Sequence, residues 1–301
     1  MSILICGSLA FDTITTFPGR FKQQILPDQL HILNVSFLVP TLKREFGGCA
    51  GNIAYTLRQL GGRPLIKAAL GADGGPYLER LQSWGVDLRH VSVVQESYTA
   101  QAIIITDQDN NQITAFHPGA MQYAHQAPIV PADDIELAII APDGRQAMLD
   151  HAEQIAAAGI PFVFDPGQGL PMFESAELRR FVELASWVTV NDYEGRMLCE
   201  RTGMRPDELS RQVRALVITL GAEGCQVWQD GTCIHVPGVS AEQVVDPTGC
   251  GDAFRGALLH GLQQGWEVTR CVQLANRVGA IKIAQAGPQN HTIPPDLTTS
   301  K

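Results

Sequence analysis

The sequence predicts an α/β protein built as a layered sheet covered by helices, and two observations carry this. Short apolar runs alternate along the chain with amphipathic segments of helical length. Several of those runs also lack the polar alternation of a half-exposed strand, as expected where helices cover both faces of a sheet. The predicted strands are residues 3–6, 65–70, 137–140, 162–164, 187–190 and 216–219. The predicted helices are 52–60, 77–84, 145–158, 178–185 and 192–201, with Gly61-Gly62 and Gly159 as stops. Two segments break the alternation. Residues 13–46 hold Pro18, Gly19, Pro27 and Pro40 around a strand-like piece at 31–39. Residues 98–117 read as a hairpin, with arms 99–106 and 112–116 and the polar turn Asp107-Gln108-Asp109-Asn110-Asn111. These pieces predict a small β element beside the main sheet, either a lid over a site or decorative edge strands. The Pro- and Thr-rich residues 292–301 read as a fraying end.

The chain has 301 residues, enough to bury a large core with no disulfide or structural metal. Lys and Arg number 22 and Asp and Glu 31, for a net charge of −9. That balance argues against a nucleic-acid binder, whose surfaces cluster Lys and Arg. Seven scattered cysteines with no Cys-x-x-Cys spacing suggest neither a zinc ribbon nor a redox pair, and a reducing cytosol is the simplest setting. The first residues lack a basic flank and read as a buried strand, not a signal peptide. No apolar stretch approaches membrane-spanning length, so neither a membrane nor nucleic acid is an expected partner.

The strongest motif is Val244-Val245-Asp246-Pro247-Thr248-Gly249-Cys250-Gly251-Asp252-Ala253-Phe254, leading into an apolar helix. A glycine-rich turn at a helix N-terminus suits an anion. Asp252, in the first turn, is either a helix cap or a general base for a hydroxyl attacking a phosphate. The motif matches neither the Walker loop nor the dinucleotide fingerprint, which disfavours a P-loop NTPase and a dehydrogenase. A second signal, Phe46-Gly47-Gly48-Cys49-Ala50-Gly51-Asn52, either admits a ligand, with Asn52 facing a polyol, or is a tight turn with a cap. The third is Val190-Asn191-Asp192-Tyr193-Glu194. Asn191 and Glu194 there either support the water shell of Mg²⁺ or cap a helix.

In this order the three signals resemble the ribokinase-like (PfkB) family of carbohydrate and nucleoside kinases, over residues 7–288. The resemblance implies a three-layer ribokinase-like fold, with a central mostly parallel sheet, flanking helices and a small β lid. It implies a single kinase domain over 1–301, the lid coming from about 13–46 and 98–117. It makes Asp252 the catalytic base and the backbones of Gly249, Cys250 and Gly251 an anion hole. It places Asp12, Gly47, Gly48 and Asn52 on the substrate. It places Asn191, Thr219, Gly221, Gly224 and Asn276 on ATP, Glu194 on Mg²⁺ through water, and Asp246 and Thr248 on a possible K⁺. A thiol at a helix N-terminus also suggests a lowered pKa for Cys250.

For the acceptor, Asp165-Pro166-Gly167-Gln168-Gly169 lacks the Arg that sugar kinases of the family often carry there. Phe116 and Met121, after the hairpin, suit a flat nucleobase or are simply core. The whole chain looks closest to microbial nucleoside kinases of the family. The implied reaction moves the ATP γ-phosphate to the 5′-hydroxyl of adenosine, inosine or a similar nucleoside. The alternatives are a ribose or fructose kinase and, more distantly, a non-catalytic sensor. The expected assembly is a monomer or a homodimer, since the lid strands offer edges that a second chain could pair.

Overall fold

The computed structural model describes residues 1–25, 32, 34–130 and 134–298. Strand β1 (Ser2–Cys6) is wholly buried. The chain then passes through β2 (Ala10–Thr16), the single turn α1 (Phe21–Gln24) and β3 (Thr41–Gly47). It continues through α2 (Cys49–Gln59), β4 (Pro64–Gly71), α3 (Gly75–Ser83), β5 (Val91–Val94), β6 (Ala100–Thr106) and β7 (Gln112–His117). Next come β8 (Ile135–Ile140), α4 (Arg145–Ala157), β9 (Phe162–Phe164), α5 (Ser175–Leu184), β10 (Trp187–Asn191), α6 (Asp192–Thr202), α7 (Pro206–Leu209) and β11 (Ala215–Thr219). The hairpin β12 (Gly224–Gln229) and β13 (Thr232–Pro237) precedes α8 (Cys250–Gln263), α9 (Val268–Ile283) and α10 (Pro295–Thr298).

Nine strands form the main sheet in the order β13-β12-β11-β10-β9-β8-β1-β4-β5. All neighbours in it are parallel except the two pairs that involve β12. Alternate residues of β1 feed two separate cores. Ile3 and Ile5 pack with α2, α8 and α9, whereas Leu4 and Cys6 pack with α4 and α5. A strand buried on both faces has no use for polar alternation, which is why these runs are continuously apolar.

The second sheet has the order β3-β2-β6-β7 and is mixed, because β2 and β6 run parallel. Its loop after β6 is closed by Asp107, whose carboxylate accepts the amides of Phe21, Asp109 and Asn111. The strand-like piece at 31–39 is corrected. Positions 34–39 form no strand, positions 31 and 33 lie outside the described residues, and β3 begins only beyond Pro40. Pro40 has no N–H for a ladder, so pairing starts after it. Of the expected fraying end, residues 299–301 lie outside the described residues and 295–298 form α10.

Sequence reasoning missed β5 and the β12–β13 hairpin. The latter was readable, since Asp230-Gly231 separates two β-rich runs by two residues, a strong hairpin signal. No helix among the described residues is long and apolar enough to cross a membrane.

Candidate functional site

The site forms where the second sheet, α2 and the N-terminus of α8 converge. Helix α2 packs along α8, and this brings Asn52 to Asp252 across 200 positions of sequence. Asn52 Nδ2 donates to Asp252 Oδ2 at 2.8 Å. Behind it, Gln289 Nε2 donates to Asn52 Oδ1 at 2.9 Å and to Tyr77 Oη at 2.8 Å, and the Tyr77 hydroxyl donates to the Gly47 carbonyl at 2.7 Å. One buried network therefore fixes the amide of Asn52, orients Asp252 and holds the Gly47-Gly48 turn. Asp12, on β2, faces the same turn: a Cβ on Gly47 would lie 2.5 Å from its Oδ2.

Gly48 has φ +83°, and a Cβ there would meet the Ser8 carbonyl at 2.5 Å. Gly48→Ala is expected to cost about 1–3 kcal/mol from the backbone conformation alone, with more from the clash. The midpoint of urea unfolding checks this.

Burial pushes the Asp252 carboxyl up to about 6, against the lowering effects of the Asn52 hydrogen bond and the Arg255 charge. Asp12 is pushed up to about 6 as well, first by burial and then by the charges of Asp252, Glu45 and Asp246. Asp246 moves the other way. Burial raises it, but the amides of Gly287 and Thr248, each donating at 2.8 Å, hold it below its ordinary value.

Sequence reasoning missed Tyr77 and Gln289 of the network around Asn52, and it missed Arg255, one turn beyond Asp252 on α8. Its Nε and Nη2 form a two-point ion pair with Asp165 at 2.9 Å each, and both side chains are buried. The two partners lie 90 positions apart in sequence. Among the described residues, Arg255 is the single basic side chain lining a cavity of about 500 Å³ that also exposes Asp165, Asp192, Glu194 and Asp252.

Asn191, Thr219 and Gly221 line this cavity too. Asn191 and Glu194 cap α6 reciprocally. The Glu194 amide donates to Asn191 Oδ1, and the Asn191 amide donates to Glu194 Oε2, at 2.8 Å each. The capping reading is therefore correct. It occupies one Glu194 oxygen, and burial raises this carboxyl. Among the described residues no group of three or more His, Cys, Asp or Glu side chains is placed to hold a metal ion directly, and Asp165 is taken up by Arg255, so a divalent cation here would be held by Glu194 and its neighbours through its waters.

Thr219, Gly221, Gly224 and Asn276 line an adjoining cavity of about 350 Å³, mostly apolar, between the β12–β13 hairpin and α9. Asn276 Nδ2 donates to the Pro237 carbonyl and Oδ1 accepts from Cys225, so its amide ties β13 to α9.

Gly249 is left-handed at the N-cap of α8. The Cys250 amide donates to the Pro247 carbonyl at 3.1 Å, which uses that donor within the turn. The expected low pKa of Cys250 is corrected: burial raises it, outweighing the nearby Lys282 charge. Lys282, which no motif singled out, has 0 % exposure and donates to the Asp246 carbonyl at 2.8 Å and the Gln285 carbonyl at 3.1 Å.

Neither Phe116 nor Met121 lines either cavity. Phe116 is half exposed, so it is not core. It pairs with Ala102, which pairs with Asp12, so Phe116 and Asp12 share one row and one face of the second sheet, two strands or about 10 Å apart. Met121 is partly buried in the 3₁₀ segment Gly119–Gln126.

The pfkB family carbohydrate kinase pattern matches residues 22–295. The nucleoside kinase of Burkholderia thailandensis in complex with inosine superposes with a TM-score of 0.88 at 51% identity, over 99% of this chain and 95% of that one. The Methanocaldococcus jannaschii nucleoside kinase superposes with a TM-score of 0.89 at 25% identity, over 99% and 97%. A nucleoside kinase of Methanothermobacter thermautotrophicus is 29% identical over 295 residues, 96% of this chain and 91% of that protein.

Proposed function

This chain belongs to the pfkB family of carbohydrate kinases, and from that premise we propose that it phosphorylates the 5′-hydroxyl of a ribonucleoside with ATP. The observation that carries the reading is the Asn52–Asp252 pair at the N-terminus of α8, beside the cavity that Gly249 and Gly251 also line. Asp12 and Asn52 bind the ribose hydroxyls, and Phe116, on the same face as Asp12, lies under the base. The second sheet, with the described residues of the segments 13–46 and 98–117, acts as the lid; residues 26–31 and 33 of that expectation lie outside the described residues. ATP places its adenine against the apolar cavity at Thr219, Gly221, Gly224 and Asn276, and its γ-phosphate at the turn before α8.

Asp252 Oδ accepts the 5′-hydroxyl proton as that oxygen attacks the γ-phosphorus. The bond from phosphorus to the β–γ bridging oxygen breaks, and ADP leaves with its electron pair. The α8 N-terminus and the glycine amides stabilise the transferring phosphoryl group. Mg²⁺, held through water by Glu194 and Asn191, would neutralise phosphate charge when bound. In a chain of net charge −9 the positive potential for a polyphosphate has to be local.

A nucleoside acceptor is supported by the 51% identical relative, which was solved with inosine, and by the position of Phe116. The test is a panel of adenosine, inosine, ribose and fructose with ATP and Mg²⁺. The expected result is a kcat/KM for at least one nucleoside about tenfold or more above that for ribose, since the base adds binding that free ribose lacks. A higher kcat/KM for ribose or fructose overturns the nucleoside reading in favour of a sugar kinase.

A further inference from the structure

Lys282 is a wholly buried ammonium in the last turn of α9. A buried charge needs partners, and this one has backbone carbonyls: Asp246 O at 2.8 Å and Gln285 O at 3.1 Å, with the Asp246 carboxylate 4.0 Å away. The negative end of the α9 dipole adds to the attraction. The constellation of two loop carbonyls and a carboxylate around a single positive charge is the donor set that protein backbones offer to an alkali cation.

Its place in the fold gives it a task. Asp246 opens the loop that ends in the Gly249–Gly251 turn. The same Asp246 is anchored on its other sides, by its own amide to the Ile283 carbonyl at 3.1 Å and by its side chain to the amides of Thr248 and Gly287. Drawing the Asp246 and Gln285 carbonyls inward onto one charge ties the loop before α8 to the end of α9. The charge also reaches the turn itself, since it lowers the Cys250 thiol against the burial that raises it.

We propose that the Lys282 ammonium is the resident cation of the phosphate-binding turn, taking the place of an alkali ion and making the turn independent of K⁺. Lys282 is thus a positioning residue: it touches the loop and not the substrate. The proposal rests on the kinase reading above, but its test includes a readout that does not.

The test measures turnover and melting temperature in potassium, ammonium and tetramethylammonium chloride at equal ionic strength, for the native chain, Lys282→Ala and Lys282→Met. The native chain is expected to respond to none of the salts, with turnover changing by less than about twofold. Lys282→Ala opens room for an ion. Its kcat is expected to fall about tenfold or more in tetramethylammonium, because the turn's donors lose their alignment, and to recover in potassium or ammonium. Potassium should also raise its melting temperature. Lys282→Met fills the space with an apolar chain, so its kcat should fall and not recover. A merely structural lysine predicts a loss without salt rescue.

Strong activation of the native chain by potassium overturns the proposal, as does a fully active Lys282→Ala in tetramethylammonium. If the native chain phosphorylates no acceptor, the functional reading fails, and the potassium effect on the melting temperatures still decides the cation question. If Lys282→Ala does not fold, the salt response of the native chain's turnover and melting decides it.

Discussion

Asp252→Asn is expected to lower kcat by roughly 10²–10⁴-fold, the usual contribution of a positioned general base. Nucleoside affinity should change little. Asparagine keeps an oxygen for the Asn52 amide, so the network through Gln289 and Tyr77 stays in place. Steady-state kinetics and calorimetry of nucleoside binding separate the two effects, and near-normal turnover would show that the base lies elsewhere. The native pH profile follows from the same carboxyl. A base pushed up to about 6 is ionised at neutral pH and protonated below, so kcat/KM should fall as pH drops through about 6. Asp12 lies in the same range and the Asp252 charge raises it, so the acid limb belongs to the pair and not to either residue. The variant should also melt no lower than the native chain at pH 7. A carboxyl whose folded pKa is raised disfavours the folded state above that pKa, and this penalty disappears below its ordinary value near 4, where both states are protonated.

Arg255→Met should cause the largest loss of stability. The ion pair with Asp165 has two 2.9 Å hydrogen bonds, and its side chains are 8% and 4% exposed. Removing the guanidinium leaves a buried carboxylate without its counter-charge, which typically costs about 3–5 kcal/mol. The paired variant Arg255→Met with Asp165→Asn removes both charges and should recover most of that loss. Urea unfolding of the two single variants and the double variant measures the coupling, and equal stability of Arg255→Met and the double variant would refute it. Activity should not recover with stability. The double variant leaves a cavity lined by Asp192, Glu194 and Asp252 with no basic side chain, so KM for ATP should rise even where the fold is restored.

The main sheet was legible because its strands sit between two cores, and continuous burial writes continuous apolar runs such as those of β1 and β9. Asp252, Gly48 and Asn52 were legible because a turn, a cap and a close approach restrict the residue types locally. What was not legible depends on distance. Asp165 and Arg255 are separated by 90 positions, and each alone looks like an ordinary surface residue type in an α/β chain. Lys282 sits on a helix where lysine is common, and only the arrival of the Asp246 and Gln285 carbonyls distinguishes it. Phe116 shares a face with Asp12 only because β6 lies between β2 and β7, and that strand order is not in the local sequence. The thiol of Cys250 went the other way. Its helix N-terminus was visible and its burial was not.

The packing of α2 on α8 has a consequence for synthesis. Asp12, Gly48, Asn52 and all four strands of the second sheet are made well before α8. Their partner Asp252 follows Asn52 by 200 residues, and Gln289, which locks the pair, comes later still. A growing chain therefore holds the second sheet and Asn52 for some time before it holds Asp252 or Gln289. Closing such distant contacts is slow relative to local folding. The Asn52–Asp252–Gln289 network can close only once α8 and the segment after α9 have been made and α8 docks against α2.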